Sequence, residues 1–329
     1  MCVFLFVVRY TYGQEVSAYA FPVLRIPAYS RALAMGGNGI AIAKENQQLY
    51  YNPAKTAFTQ NFHQASATYL PWLPGISDDT KFMHLSYLTS VGESGGFGAS
   101  LGYLSYGNMT VRDNNGAPIA SYKGREYYLG FSYALRFAPT GSVGVGLRAL
   151  GENIFTDVPR NVFTACGDVS YYQYAELNGG DAKLEWGATV SALGPKVNSP
   201  GGSEKVGLPS SAGVGIGYTK YNTANDDWFT FSLDANKLLS APFSSTTVSI
   251  GAEYGFAETF FLRGGVQMEN ALAGNRKFIG LGAGYKGFIA DQSWGLDVHY
   301  LVPYGPRSAA SPFEQSWGFT LAVNFGNFQ

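Results

Sequence analysis

Residues 127–137 read YYLGFSYALRF. Taken alternately, Leu129, Phe131, Tyr133, Leu135 and Phe137 fall on one face, and Gly130, Ser132, Ala134 and Arg136 on the other. A period of two is that of a β-strand, whose successive side chains point to opposite sides of the sheet. One face is large and apolar, the other small or polar, so this strand separates two different surroundings. The pattern recurs in FGASLGYLSYG (97–107), FTFSLDANK (229–237), TVSIGAEYG (247–255), WGLDVHYLV (294–302) and GFTLAVNF (318–325). Arg136, Arg148, Asp234 and Glu253 stand mid-strand on the small or polar face.

Two architectures obey this alternation. A soluble sandwich turns its apolar face to a core and its polar face to water. A membrane barrel turns the apolar face to lipid and the polar face to its lumen, which makes those four residues candidate lumen charges. Three features favour the barrel. The strands run to about ten residues, the length of a tilted membrane-spanning strand. Tyr, Phe and Trp crowd the strand ends, as in aromatic girdles. Alternating segments at 64–72, 80–89, 95–107, 124–137, 142–152, 162–173, 183–193, 209–219, 228–238, 245–255, 258–268, 276–286, 292–301 and 315–326 give about fourteen strands, an even number. Between them stand turn signals such as ESGG, DNNGAP, APTGS and NGGD. The fold class is therefore all-β, a transmembrane antiparallel barrel.

Composition agrees. Charged residues make up 14% of the chain and aromatics 16%, where an average soluble chain is about a quarter charged. The net charge of −1 gives nucleic acid no electrostatic foothold. No apolar run is long enough for a membrane-spanning helix, and mean hydropathy is −0.04.

Little in the chain suggests chemistry. His63, His84 and His299 lie far apart, and no His-x-Glu or Cys-x-x-Cys spacing occurs. Cys2 sits in the opening apolar stretch; Cys166 then reads as a lone buried or lipid-facing thiol. GAGYKG (282–287) matches G-x-G-x-x-G but lies inside a strand with no helix after it. Its glycines suit barrel curvature or close packing in the lumen. No Gly-x-Ser-x-Gly elbow is present. We expect no enzyme, no cofactor and no metal site.

The first sixty residues do not alternate. MCVFLFVVRYTYGQ (1–14) reads as a short apolar segment followed by small and polar residues, so 1–13 is a candidate signal peptide, although a basic start is missing. Residues 14–60 form a block rich in Gly, Ala and Asn, and 61–329 form the barrel. The block holds Arg31, then Gly36, Gly37 and Gly39, then Asn52-Pro53-Ala54. Pro53 lacks an N–H and biases Asn52 away from the helical region, so regular structure should break there.

A glycine-rich N-terminal block carrying Asn-Pro-Ala ahead of about fourteen strands resembles the FadL family of outer-membrane proteins. In that family the N-terminal segment folds into the barrel as a hatch. Within it, SRALAMGGNGIAIAKENQQLYYNPAKTAF (30–58), ATYLPWLPGISDD (67–79) and HLSYLTS (84–90) are similar to the PorV-type barrels of type IX secretion. The likeness rests on Arg31-Ala32, Tyr51 to Lys55, Tyr69 to Leu73 and Leu85 to Leu88, and covers about residues 29–135. Pro74-Gly75, where a basic or polar residue is expected, and EWGATVSALGPKV (185–197) depart from the pattern. They leave a sibling such as the PorQ barrels, or a PorV paralog, open.

The resemblance implies an outer-membrane protein of a Bacteroidetes-like Gram-negative cell. Its implied partners are the secretion translocon, secreted cargo with a C-terminal signal domain, the surface attachment (sortase) complex and membrane lipids. Extracellular loops near 108–123, 153–161, 194–208 and 302–314 would be the recognition surfaces. Two other readings stand beside it. One is a FadL-like importer of hydrophobic small molecules, which the small and polar inward residues disfavour. The other is a soluble β-sandwich binding module.

Overall fold

The computed structural model describes residues 19–325, apart from 60–62, 73, 75–78, 114, 156–158, 199–203, 223, 241–245, 270–275, 291, 306–312 and 314–315. The expected signal peptide lies outside the described residues. The strands are β1 (His63–Pro71), β2 (Lys81–Val91), β3 (Gly95–Arg112), β4 (Pro118–Ala138), β5 (Gly141–Phe155), β6 (Pro159–Leu177) and β7 (Ala182–Leu193). A small hairpin follows, β8 (Val197–Asn198) with β9 (Lys205–Val206). Then come β10 (Ser211–Asn222), β11 (Asp227–Leu238), β12 (Thr246–Phe256), β13 (Phe260–Glu269), β14 (Phe278–Ile289), β15 (Gln292–Pro303) and β16 (Trp317–Phe325).

All strands except the β8–β9 hairpin form one closed antiparallel barrel of fourteen. Each pairs with its neighbours in chain order, and β1 closes on β16 with Ala67 opposite Leu321 and Tyr69 opposite Phe319. Closure leaves no unpaired edge, which a wall facing hydrocarbon requires.

The apolar faces turn outward. Leu147 is 70% exposed, and Phe131, Phe163, Leu262 and Ile279 share that side. The small and polar faces turn inward: Ser132, Thr230, Asp234 and Glu253 are buried. A sandwich would bury the opposite set, so the soluble reading falls.

The turns after β2, β4, β6, β10, β12 and β14 are short, and the connections at the other end are mostly longer. Short turns mark the periplasmic end and long loops the cell surface. Parts of two regions read as loops are strand instead. β3 and β4 run on to Arg112 and from Pro118, and β5 and β6 reach Phe155 and Pro159. A tight Asx turn makes the first extension possible: Asp113 Oδ1 accepts from the backbone N–H of Asn115 and Ala117 at 2.9 and 2.8 Å.

The N-terminal segment fills the lumen. It holds two short helices, α1 (Ser30–Ala34) and α2 (Gln48–Tyr51), and 3-10 turns at Pro22–Arg25, Glu45–Gln47 and Pro53–Phe58. α1 lies along β13 to β16, and the turn 53–58 along β2 to β6. The segment crosses the whole barrel. Ala20 donates its N–H to Gly207 O, in the long connection between β7 and β10, whereas β1 starts at the periplasmic end.

Candidate functional site

Two layers fill much of the interior. Towards the cell surface, Phe21, Val23, Leu24 and Ile26 of the N-terminal segment pack on inward residues of the wall, among them Leu70, Phe82, Leu104, Leu150 and Phe278. Phe313 covers them from the long connection before β16. Cys166 is buried in this layer, a thiol inside the barrel. His84 and His299 also face inward and are buried, while His63 stacks between Tyr87 and Phe325 near the periplasmic rim. Among the described residues no group of His, Cys, Asp and Glu is placed to hold a metal.

The deeper layer is polar. Arg31 grips Glu253 with two hydrogen bonds, Nε to Oε2 at 2.7 Å and Nη2 to Oε1 at 3.0 Å. Its remaining nitrogen donates to Ile42 O and Gln47 Oε1 at 3.1 and 3.2 Å. Lys44 Nζ and Arg263 Nε also reach Glu253, at 3.1 and 2.6 Å. Asp297 pairs in turn with Arg263. Lys55 pairs with Glu185 at 3.0 Å and also donates to Ala41 O.

Each residue singled out in the sequence has a definite place. Asp234 Oδ2 accepts the backbone N–H groups of Gly39 and Ile40 at 2.7 and 2.9 Å. Arg148 pairs with Asp168 of the wall. Arg136 lies over the Phe58 ring, 5.7 Å from its centroid. Gly36 and Gly37 adopt positive φ, +75° and +85°. A Cβ on Gly36 would stand 2.6 Å from Val266 N, and one on Gly39 2.2 Å from the Tyr51 ring.

Asn52-Pro53-Ala54 joins two helices. α2 ends at Tyr51 and Pro53 opens the next turn, where a missing N–H costs nothing. Asn52 caps that turn by accepting from Ala54 N at 3.2 Å, and its Nδ2 donates to Ile40 O and Tyr171 O at 2.8 and 3.0 Å. Ala54 is held to the wall from both sides. Its N–H reaches Ser170 Oγ at 2.9 Å, and Ser142 Oγ donates to its carbonyl at 2.7 Å. Regular structure does break at Asn52, and Pro53 starts a new helical turn that ends at Phe58.

The lumen charges named from the sequence leave out Glu185, Arg263 and Asp297, and Lys55 enters there only through the Tyr51 to Lys55 likeness. The wall three were legible by the rule that marked Glu253, since each stands on the small face of an alternating strand. Lys55 carried no such signal, because its segment has no period.

A sequence model described as "Type IX secretion system protein PorV" matches residues 10–244. The chain belongs to the PorV family. It is thus an outer-membrane component of type IX secretion and an integral β-barrel. Nothing matches among curated proteins. Among solved structures it is similar to the CymD monoaromatic hydrocarbon channel, with 12% identity, a TM-score of 0.58, and 95% of this chain and 100% of that one covered. The Ralstonia pickettii toluene transporter TbuX is also similar, with 12% identity, a TM-score of 0.55, and 91% and 98% covered. So is the P. putida toluene transporter TodX, again with 12% identity and a TM-score of 0.55, and with 92% and 99% covered. At such identity the likeness speaks for the fold alone, a FadL-type barrel.

Proposed function

We propose that this PorV-family barrel works as a docking and carrier protein. It binds the secretion translocon and takes cargo with C-terminal signal domains to the surface attachment machinery. Its N-terminal segment serves as a fixed hatch, and its outer surfaces do the recognising. The observation that carries this reading is the filling of the lumen by two layers of the N-terminal segment. The apolar layer is occupied by Phe21, Val23, Leu24 and Ile26 of the chain itself. The cavities beside the N-terminal segment, 140 and 160 Å³, mix apolar walls with charged side chains, Asp234 and Arg148 in one and Arg31, Glu253 and Arg263 in the other. A carrier of greasy small molecules would need an apolar pocket instead.

The test is purification of the tagged chain from native outer membranes in a gentle detergent, with bound chains identified by mass. Co-purification of a large translocon barrel, or of cargo bearing shared C-terminal domains, supports the carrier. Recovery of the chain alone with bound fatty acid or hydrocarbon overturns it in favour of an importer of hydrophobic molecules.

A further inference from the structure

The outside of the wall carries a groove of 1040 Å³ across β1 to β4 and β16. It is a step between strands of unequal height. β1 ends at Pro71 and β16 begins only at Trp317, while β3 and β4 continue to Arg112 and from Pro118. A bulge between Ser105 and Asn108 redirects β3 at this step, with Gly107 at φ +74°. Met83, Leu85, Leu101 and Phe319 line the groove, all exposed and continuous with the lipid-facing band.

Cations ring its cell-surface end. Lys81 pairs with Ser105, and Ser105 pairs with Arg125, so both cations stand on one row of the outer face. Lys123 follows beside Asn108. All three are exposed, and none makes an ion pair among the described residues. Among the described residues Asp79 is the one carboxylate lining the groove, and the backbone and side-chain amides of Asn108 occupy it at 3.2 and 2.9 Å. Two lining cations, Lys81 and Lys123, with Arg125 next to them on the strand opposite Ser105, outnumber the one engaged carboxylate among the described residues and leave a positive rim above an apolar floor.

An apolar wall at membrane depth is covered by acyl chains, and unpaired cations at the headgroup level select a negative headgroup. The long loops put this rim in the outer leaflet. We propose that the groove holds a phosphorylated lipid of the outer leaflet. Its acyl chains lie along Met83, Leu85, Leu101 and Phe319, and its phosphate sits among Lys81, Lys123 and Arg125. The proposal rests on the outer-membrane location and stands apart from the secretion reading.

The probe is diphosphorylated lipid A, titrated into the full chain in detergent and followed by native mass spectrometry, with the dephosphorylated lipid as comparison. Saturable binding is expected, with the triple variant Lys81→Gln, Lys123→Gln, Arg125→Gln at least about tenfold weaker, as lost charge-assisted bonds to phosphate imply. Unchanged heat-dependent migration of the variant on gels shows that its barrel has formed, and Lys81→Arg retains binding. Equal affinity of wild type and triple variant, or no preference for the phosphorylated lipid, overturns the proposal. So does a photo-crosslinker at position 101 that captures a protein, and not lipid, in native membranes.

Discussion

Arg31 and Glu253 stand 222 positions apart in the chain and meet in a two-bond ion pair at the centre of the barrel, both almost wholly buried. Glu253 is shared with Lys44 and Arg263, so it contacts three cations, two of them on the N-terminal segment, while Asp297 also pairs with Arg263. Removing one partner of such a buried group leaves charge without compensation, at a cost of about 3–5 kcal/mol. Glu253→Gln is therefore expected to loosen the N-terminal segment while the wall, held by its own ladder, stays closed. Limited proteolysis of the detergent-solubilised chain checks this. Cleavage confined to residues before β1 agrees; an unchanged digest would show that the ion pairs contribute little.

The wall glycines give a second, cleaner lever. A Cβ on Gly265 would lie 2.1 Å from the Met35 carbonyl carbon, whereas Gly264, one residue earlier, has nothing within 4 Å. The two face opposite sides of β13, so Gly265→Leu should expel the segment near Met35 and Gly264→Leu should not. Single-channel conductance in planar bilayers distinguishes them. Raised conductance in the first variant alone is the expected result, and similar behaviour of both would count against a backbone resting on the wall.

The crossing of the lumen by the N-terminal segment predicts an accessibility pattern. In a chain lacking Cys2 and Cys166, Tyr19→Cys should react with a membrane-impermeant maleimide on intact cells, because Ala20 bonds to Gly207 under the long loops. Glu93→Cys, in the exposed turn between β2 and β3, should react only after the outer membrane is opened. The reverse pattern would invert the barrel.

Asn52 supplies the cap of the turn at Pro53 and two further hydrogen bonds to backbone carbonyls. Asn52→Ala leaves the carbonyls of Ile40 and Tyr171 without that donor, a penalty of about 1–3 kcal/mol. The proteolytic threshold of the N-terminal segment in urea should fall, with the thermal transition of the barrel unmoved. A drop in the barrel transition instead would mean that Asn52 supports the wall.

The alternation of residues such as 127–137 was enough to determine the strands, their number near fourteen and which side chains share a face, because a strand's period of two is local. Parity likewise placed Asp234 and Glu253 on one side of the sheet. Parity is symmetric, however, and does not say which side holds lipid. Closure of β1 on β16 decided that, by wrapping the small faces around an interior and leaving Leu147 and Phe163 outside. What fills that interior was equally beyond any local pattern, since 30–58 has no period and its wall partners lie anywhere from 18 to 290 residues away. Only when the wall closes do Asp234, Glu185 and Glu253 converge on Gly39, Lys55 and Arg31, because burial leaves each carboxylate no solvent to answer its charge.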